Sequence, residues 1–213
     1  MATGAQPYAG IVLAGGRSRR MGRPKAALEW HGTTLLARTV DVVGRATGGP
    51  VVVVSAPGQA LPPLPAGVLV HEDPVEGLGP VQGLAVGLAA AGRLCAEGAF
   101  VCSTDLPFLH GAYVRRVLAA LVDGVDVVLP VARGFRQPLA AGYRTDLAGR
   151  CASLVEQGRL RPAFLYDAVR TLVLDDAGLL ADPALAAADP LLESVVNVNT
   201  LEEYRAALAR PPT

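Results

Sequence analysis

Short runs of apolar, largely β-branched residues alternate along this chain with longer stretches in which apolar positions recur every three to four residues. The runs at 9–14, 51–55, 68–71, 99–103 and 125–130 predict buried strands. The Ala/Leu-rich stretches 34–45, 81–93, 112–122 and 146–156 predict amphipathic helices. A strand apolar at nearly every position has both faces covered, so the alternation implies an α/β fold with a parallel sheet between helical layers. The pattern changes afterwards. Residues 138–143, entered through Pro138, and 171–175 predict further strands. The segment 179–192, rich in Ala, Asp and Pro, reads as a surface excursion; 195–199 predicts a last short strand and 201–209 a closing helix. No repeat or low-complexity linker divides the chain. A single domain over 1–213, with flexible ends at 1–8 and 210–213, is the simplest organisation.

Composition narrows the class. The 213 residues carry 19 Lys+Arg against 19 Asp+Glu, with 51% hydrophobic and 18% charged positions. That excludes a disordered chain and argues against a general nucleic-acid binder, since no positive balance is present to neutralise phosphates. The apolar runs are far shorter than the ~20 residues of a spanning helix, and the N-terminus lacks the basic-then-apolar order of a signal peptide. A soluble, cytoplasmic protein with no membrane partner is expected. Cys95, Cys102 and Cys151 form no CxxC pair, and an odd count closes no disulfide framework. They read as buried, small apolar side chains in a reducing compartment.

In an open α/β sheet, ligands bind outside the carboxyl ends of the strands, and there the sequence is most unusual. The first strand leads into Leu13-Ala14-Gly15-Gly16-Arg17-Ser18-Arg19-Arg20-Met21-Gly22-Arg23-Pro24-Lys25. The P-loop pattern fails because no Ser or Thr follows the Lys, and GxGxxG fails because the glycines are adjacent. Adjacent glycines still let backbone N–H groups approach an anion. The cations Arg17, Arg19, Arg20, Arg23 and Lys25 crowd into nine residues, which is unfavourable unless solvent or a polyanion relieves it.

Two carboxylates follow later strands. Asp73 stands before Pro74 and the Gly77-Leu78-Gly79-Pro80-Val81-Gln82-Gly83 segment, either as a turn residue or as an acceptor for a ribose hydroxyl or a metal-bound water. Asp105, in Cys102-Ser103-Thr104-Asp105-Leu106-Pro107, follows a buried strand and would be costly to leave unpaired. A Mg²⁺ ion beside phosphates suits it, since Mg²⁺ takes one or two carboxylates plus phosphate oxygens and water; a helix cap is the alternative. Near the C-terminus Asn197 and Asn199 share one face of the last segment, and Thr200 with Glu203 has capping-box spacing. His31, His71 and His110 form no zinc signature, His110 reading as exposed, and no GxSxG elbow suggests a hydrolase.

The string LAGGRSRRMGRPKAAL closely resembles the signature of nucleotidyltransferases of the molybdenum-cofactor guanylyltransferase type, the MobA-like family. The resemblance continues through Asp73 and GPVQGL, where the family reads GPLAGL, and through Thr104–Leu109. Arg136-Gln137-Pro138-Leu139 follows, with Gln137 where His is common. Residues 157–165 and Asn197-Val198-Asn199-Thr200-Leu201 complete it, with Leu201 in place of Pro. It implies a Rossmann-like three-layer α/β/α nucleotidyltransferase with a mainly parallel central sheet. The implied reaction transfers GMP from GTP to the phosphate of molybdopterin and releases pyrophosphate. Gly15 and Gly16 would cradle phosphates, Arg20 and Lys25 would neutralise developing charge, and Asp105 would hold Mg²⁺. Asp73 would support the nucleotide or the metal shell, Asn199 would reach phosphate or metal-bound water, and the backbone of Leu13 and Ala14 would read the base. Arg159 and Arg161 would either meet an anionic second substrate or form a solvated face. The resemblance admits molybdoenzyme apoproteins or other cofactor-biosynthesis proteins as partners, and a monomer or weak oligomer. Three alternatives remain: a cytidylyltransferase or an enzyme with another phosphorylated acceptor, which would share every phosphate-side residue; a nucleotide-sugar pyrophosphorylase, which generally needs more chain to enclose a sugar; and a non-catalytic nucleotide-sensing or cofactor-carrier module.

Overall fold

Five of the six residues of β1 (Tyr8–Leu13) are buried, and so is all of β4 (Val51–Ser55), because helices cover both faces of the sheet at these strands. The computed structural model describes residues 8–15, 25–75 and 77–211. After β1 comes a small antiparallel ribbon, β2 (Glu29–Trp30) with β3 (Thr33–Thr34), and then α1 (Leu35–Thr47). The Thr34 hydroxyl caps α1 by accepting from Ala37 N, and Gly48, at φ 66°, ends it in the left-handed conformation. Past β4 the chain runs through β5 (Leu69–Glu72), α2 (Pro80–Arg93), β6 (Gly98–Ser103) and α3 (Gly111–Ala119). It continues with β7 (Val127–Ala132), β8 (Phe135–Arg136), β9 (Ala140–Arg144), α4 (Ala148–Glu156), α5 (Ala163–Tyr166) and β10 (Thr171–Asp175). Three helices close it: α6 (Asp176–Leu180), α7 (Pro183–Ala188) and α8 (Leu201–Leu208).

Among the described residues eight strands form one sheet in the order β10-β7-β9-β6-β1-β4-β5, with β8 paired to β7. Alternate residues of each inner strand feed opposite cores. Val12, Val53 and Phe100 pack with α1 and α3, while Ile11, Leu13, Val52, Val54 and Val101 pack with α2 and α4. The sheet is mainly parallel, as expected, but β9 runs antiparallel to both β6 and β7. The reason is local. Arg133 and Gly134 have φ of 55° and 81°, so β7 turns directly back into β8, and so short a connection cannot make a parallel crossover.

The chain moves outward from β1 to β4 and β5, then returns to place β6 on the other side of β1. This is a topological switch point, where successive connections diverge to opposite faces and leave a crevice at the carboxyl ends.

Several sequence expectations need correction. Residues 195–199 form no strand: a 3-10 turn, Glu193–Val195, leads into irregular chain that joins no sheet. The segment 179–192 is not merely superficial. Leu179, Leu185 and Leu192 reach the core, while Asp175 and Asp182 cap α6 and α7. β5 is largely exposed as an edge strand. Cys95 is exposed, whereas Cys102 and Cys151 are buried. His110 is half-buried, its Nδ1 accepting from Ala112 N to cap α3. In the expected flexible tail, Arg210 is anchored: it pairs with Glu193 and lies 4.1 Å from the Phe108 ring centroid.

Candidate functional site

A cleft of about 400 Å³ opens at the switch point, across the carboxyl ends of β6, β1, β4 and β5. Leu13, Gly15, Ala56 and Pro57 form one end, Asp73 and Gly77–Pro80 line a side, and Ser103 marks the β6 end. Gly15 is required where it stands: its N–H donates to Val54 O at 3.2 Å, and a Cβ there would lie 3.0 Å from Ala56 N. α2 begins at Gly79, at φ 75°, with Pro80 following and no side-chain cap. Its first-turn N–H groups and positive dipole end therefore face the cleft, a setting suited to an anion.

Lys25, Asp105 and Asn199 meet beside the Ser103 end. Lys25 Nζ donates to Asp105 Oδ2 at 3.1 Å and to Asn199 Oδ1 at 2.9 Å. The Ser103 hydroxyl donates to Asp105 Oδ1. Three remote segments converge here, and a satellite core explains how. Leu28, Trp30 and Leu35 follow Lys25, Phe108 follows Asp105, and Val198 and Tyr204 flank Asn199; all pack in one buried cluster. The Tyr204 hydroxyl donates to Glu29 O, and Val198 N donates to Asp105 O at 2.9 Å. Glu203 Oε2 accepts from Asn199 N at 2.6 Å and Thr200 N at 3.1 Å, so the predicted capping box also sets the Asn199 backbone.

Asp73 stands elsewhere. Its strand end is three inter-strand steps from β6, roughly 14 Å at the usual spacing, so it does not join the Asp105 cluster. Its N–H donates to Ser55 O at 2.9 Å. Among the described residues its buried Oδ1 has no hydrogen-bond partner. Burial pushes its carboxyl above the usual range, with the neighbouring Gln82 carboxamide opposing the shift. Gln82, at the family departure Val81-Gln82, is buried and donates through Nε2 to Val75 O at 2.7 Å, tying the turn after Asp73 to α2. Gly16 and Arg20, with the other loop cations Arg17, Arg19 and Arg23, lie outside the described residues. Arg159 is exposed and stacks 4.5 Å from the Phe164 ring centroid. The neighbouring Leu160 carbonyl approaches Gly79, so this segment borders the cleft without entering the Lys25 cluster.

A second cleft of about 470 Å³ was missed by sequence reasoning. Arg133, Phe135, Arg136, Gln137, Val195 and Asn197 line it. The signal was present in Ala132-Arg133-Gly134-Phe135, a tight hairpin turn after an apolar strand. Ser103, bonded to Asp105, lines the first cleft, and Asn197, two residues before Asn199, lines the second. The Lys25–Asp105–Asn199 cluster thus adjoins both.

The donor set at Asp105 consists of carboxylate, hydroxyl and carboxamide oxygens, which fits a hard divalent cation better than a thiophilic one.

Comparison with known proteins identifies the family. A family model described as MobA-like NTP transferase domain matches residues 10–171. A probable molybdenum cofactor guanylyltransferase of Mycobacterium tuberculosis is 45% identical over 165 residues, covering 76% of this chain and 80% of that protein. Molybdopterin-guanine dinucleotide biosynthesis protein A of Archaeoglobus fulgidus superposes with a TM-score of 0.72 at 19% identity, over 93% of this chain and 96% of that one. A Mycobacterium tuberculosis protein solved as a complex with manganese gives 0.62 at 21% identity, over 96% and 99%. These two likenesses speak for the fold, and the family model runs through the same strand ends that build the cleft. On the strength of that match and of relatives this similar, the chain belongs to the MobA-like NTP transferase domain family, a family of nucleotidyltransferases.

Proposed function

We propose that this protein is a molybdenum cofactor guanylyltransferase, transferring GMP from GTP to the terminal phosphate of molybdopterin. The observation that carries the reading is the meeting of Lys25, Asp105 and Asn199 at the junction of two clefts. GTP occupies the cleft at the switch point, with its base toward Leu13, Ala14 and Ala56 and its phosphates toward Ser103. Asp73, which lines this cleft, accepts from the ribose hydroxyls. The phosphorylated acceptor enters from the side of Arg133 and Arg136.

An oxygen of the acceptor phosphate attacks the α-phosphorus. The bond to the β-phosphate oxygen breaks, and pyrophosphate leaves with the electron pair. The nucleophile is already an anion, so no general base is needed, and the task is positioning and charge neutralisation. Asp105 would hold Mg²⁺, which supplies charge neutralisation at the phosphates when bound. Lys25 offers its ammonium protons to the phosphate oxygens in place of Asp105, and Asn199 orients the Lys25 amine. Gly15 and Gly16 leave room for the phosphates, and Arg20 adds a second cation on the strength of its place in the motif. The protein works in the cytoplasm, in keeping with three free thiols and no helix among the described residues long and apolar enough to cross a membrane.

The test is thermal stability with Mg²⁺ and each of GTP, ATP, CTP and UTP. A ligand at 100 times its Kd adds about 2.7 kcal/mol, a shift of roughly 5–10 °C at this chain length. The expected result is a shift with GTP that Asp105→Ala loses while its own melting stays cooperative, followed by pyrophosphate release on adding molybdopterin. A preference for CTP, or no shift with any nucleotide, would overturn the guanylyl assignment.

A further inference from the structure

One side chain bridges the two loops at the base end of the nucleotide cleft. Gln59 Nε2 donates to Ala14 O at 3.1 Å, and Gln59 Oε1 accepts from Ala56 N at 3.0 Å. The Gln59 N–H itself donates to Ala56 O at 3.1 Å, closing the turn that carries the side chain. Both ends of the carboxamide are engaged, so a flip would set its NH₂ against the Ala56 N–H and its oxygen against the Ala14 carbonyl.

The gap it spans has little tolerance. Ala14 N and Gly15 N both donate to Val54 O, at 2.8 and 3.2 Å. A Cβ on Gly15 would already press on Ala56 N. On the β4 side Gln59 takes up the Ala56 N–H, and Pro57 has none to offer. Gln59 therefore sets both the separation of the loops and which backbone groups remain for a ligand. Bases differ in the order of donors and acceptors on their edges, so a wall of fixed backbone groups discriminates among them only if its spacing is held.

We propose that Gln59 is a positioning residue for the nucleotide base, holding the β1 and β4 loops at the separation that selects one nucleoside triphosphate over others. The inference rests on the reading that a nucleotide occupies this cleft. It predicts that loss of the bridge weakens binding of the preferred nucleotide more than that of the others, because a loosened wall binds all bases similarly.

The experiment measures Kd for GTP and ATP by calorimetry, with Mg²⁺, on the full chain and on Gln59→Met and Gln59→Glu. Met keeps the shape and loses both bonds. Glu keeps an acceptor for Ala56 N but sets a carboxylate oxygen against the Ala14 carbonyl, and serves if the Met variant does not fold. The expected outcome is a GTP Kd raised at least tenfold, with the GTP-over-ATP ratio falling by a similar factor. A merely structural role would lower the melting temperature and leave that ratio unchanged, and this result would overturn the inference while the nucleotide reading stands. Wild-type protein that binds neither GTP nor ATP would sink both.

Discussion

Replacing Asp73 by Asn should make the protein more stable and a poorer binder of nucleotide. In the free protein the Asp73 Oδ1 is buried without a partner among the described residues, and burial raises the carboxyl above its usual range. Leaving a buried polar group unsatisfied costs about 1–3 kcal/mol, more when it is charged, and Asn sheds only the part due to the charge. Asp73 as a whole is only half-buried, so solvent screening places the figure near the bottom of that range, at about 1 kcal/mol. Removing the charge should then raise Tm by roughly 2–4 °C at neutral pH. The pH dependence has a definite sign. A carboxyl whose pKa is higher folded than unfolded favours the fold below its unfolded value, and that advantage is lost as pH rises through the folded value. The gain of Asp73→Asn over wild type should therefore be full at neutral pH and shrink as pH falls through the raised pKa toward the ordinary carboxylate range. With GTP bound the sign reverses. A hydrogen bond to a charged group contributes about 1.5–3 kcal/mol, so the variant should bind roughly 10- to 150-fold more weakly. Melting curves between pH 4 and 8, with and without GTP and Mg²⁺, give both quantities from one protein sample. A variant less stable than wild type at pH 7, or one that binds GTP as tightly, would refute the argument that Asp73 stores a partner site for the ribose.

Two further outcomes test the other end of the cleft. Lys25→Ala should lower turnover by about 10²–10³, the loss typical of one preorganised donor at a charge-developing centre; steady-state pyrophosphate release measures it, and a loss below tenfold would make Lys25 peripheral. Thr200→Ala and Glu203→Ala both damage the α8 cap, at about 1 kcal/mol each, but only Glu203→Ala also releases the Asn199 N–H. Turnover assayed well below both melting points should fall for Glu203→Ala and hold for Thr200→Ala, and equal effects would mean that the cap matters only for stability.

Much of this molecule follows from local pattern. The all-apolar runs behind β1, β4 and β6 report burial on two faces, and the three-to-four-residue period of α1 and α2 reports one covered face. Adjacent glycines after β1, an Asp after β6 and the Thr200–Glu203 spacing are equally local; Gly15 lines the cleft, Asp105 lies beside it, and α8 starts after Thr200 as that spacing predicts. Periodicity records whether a residue is buried and says nothing about what buries it. The strand order, the reversal of β9 and the exposure of β5 at an edge therefore lay outside its reach. The same limit hid Leu179, Leu185 and Leu192, which occupy short helices with too few turns to show a period. The site itself depends on distances that close only in three dimensions. Lys25 meets Asp105 across 80 residues and Asn199 across 174, and Gln59 reaches Ala14 across 45. Such meetings arise because the sheet brings the carboxyl ends of β6, β1, β4 and β5 together and the Trp30–Phe108–Tyr204 cluster packs the remaining segments against them. Chemistry-bearing residue types can be read along a chain, but which of them share a hydrogen bond is set by packing between segments that no local pattern relates.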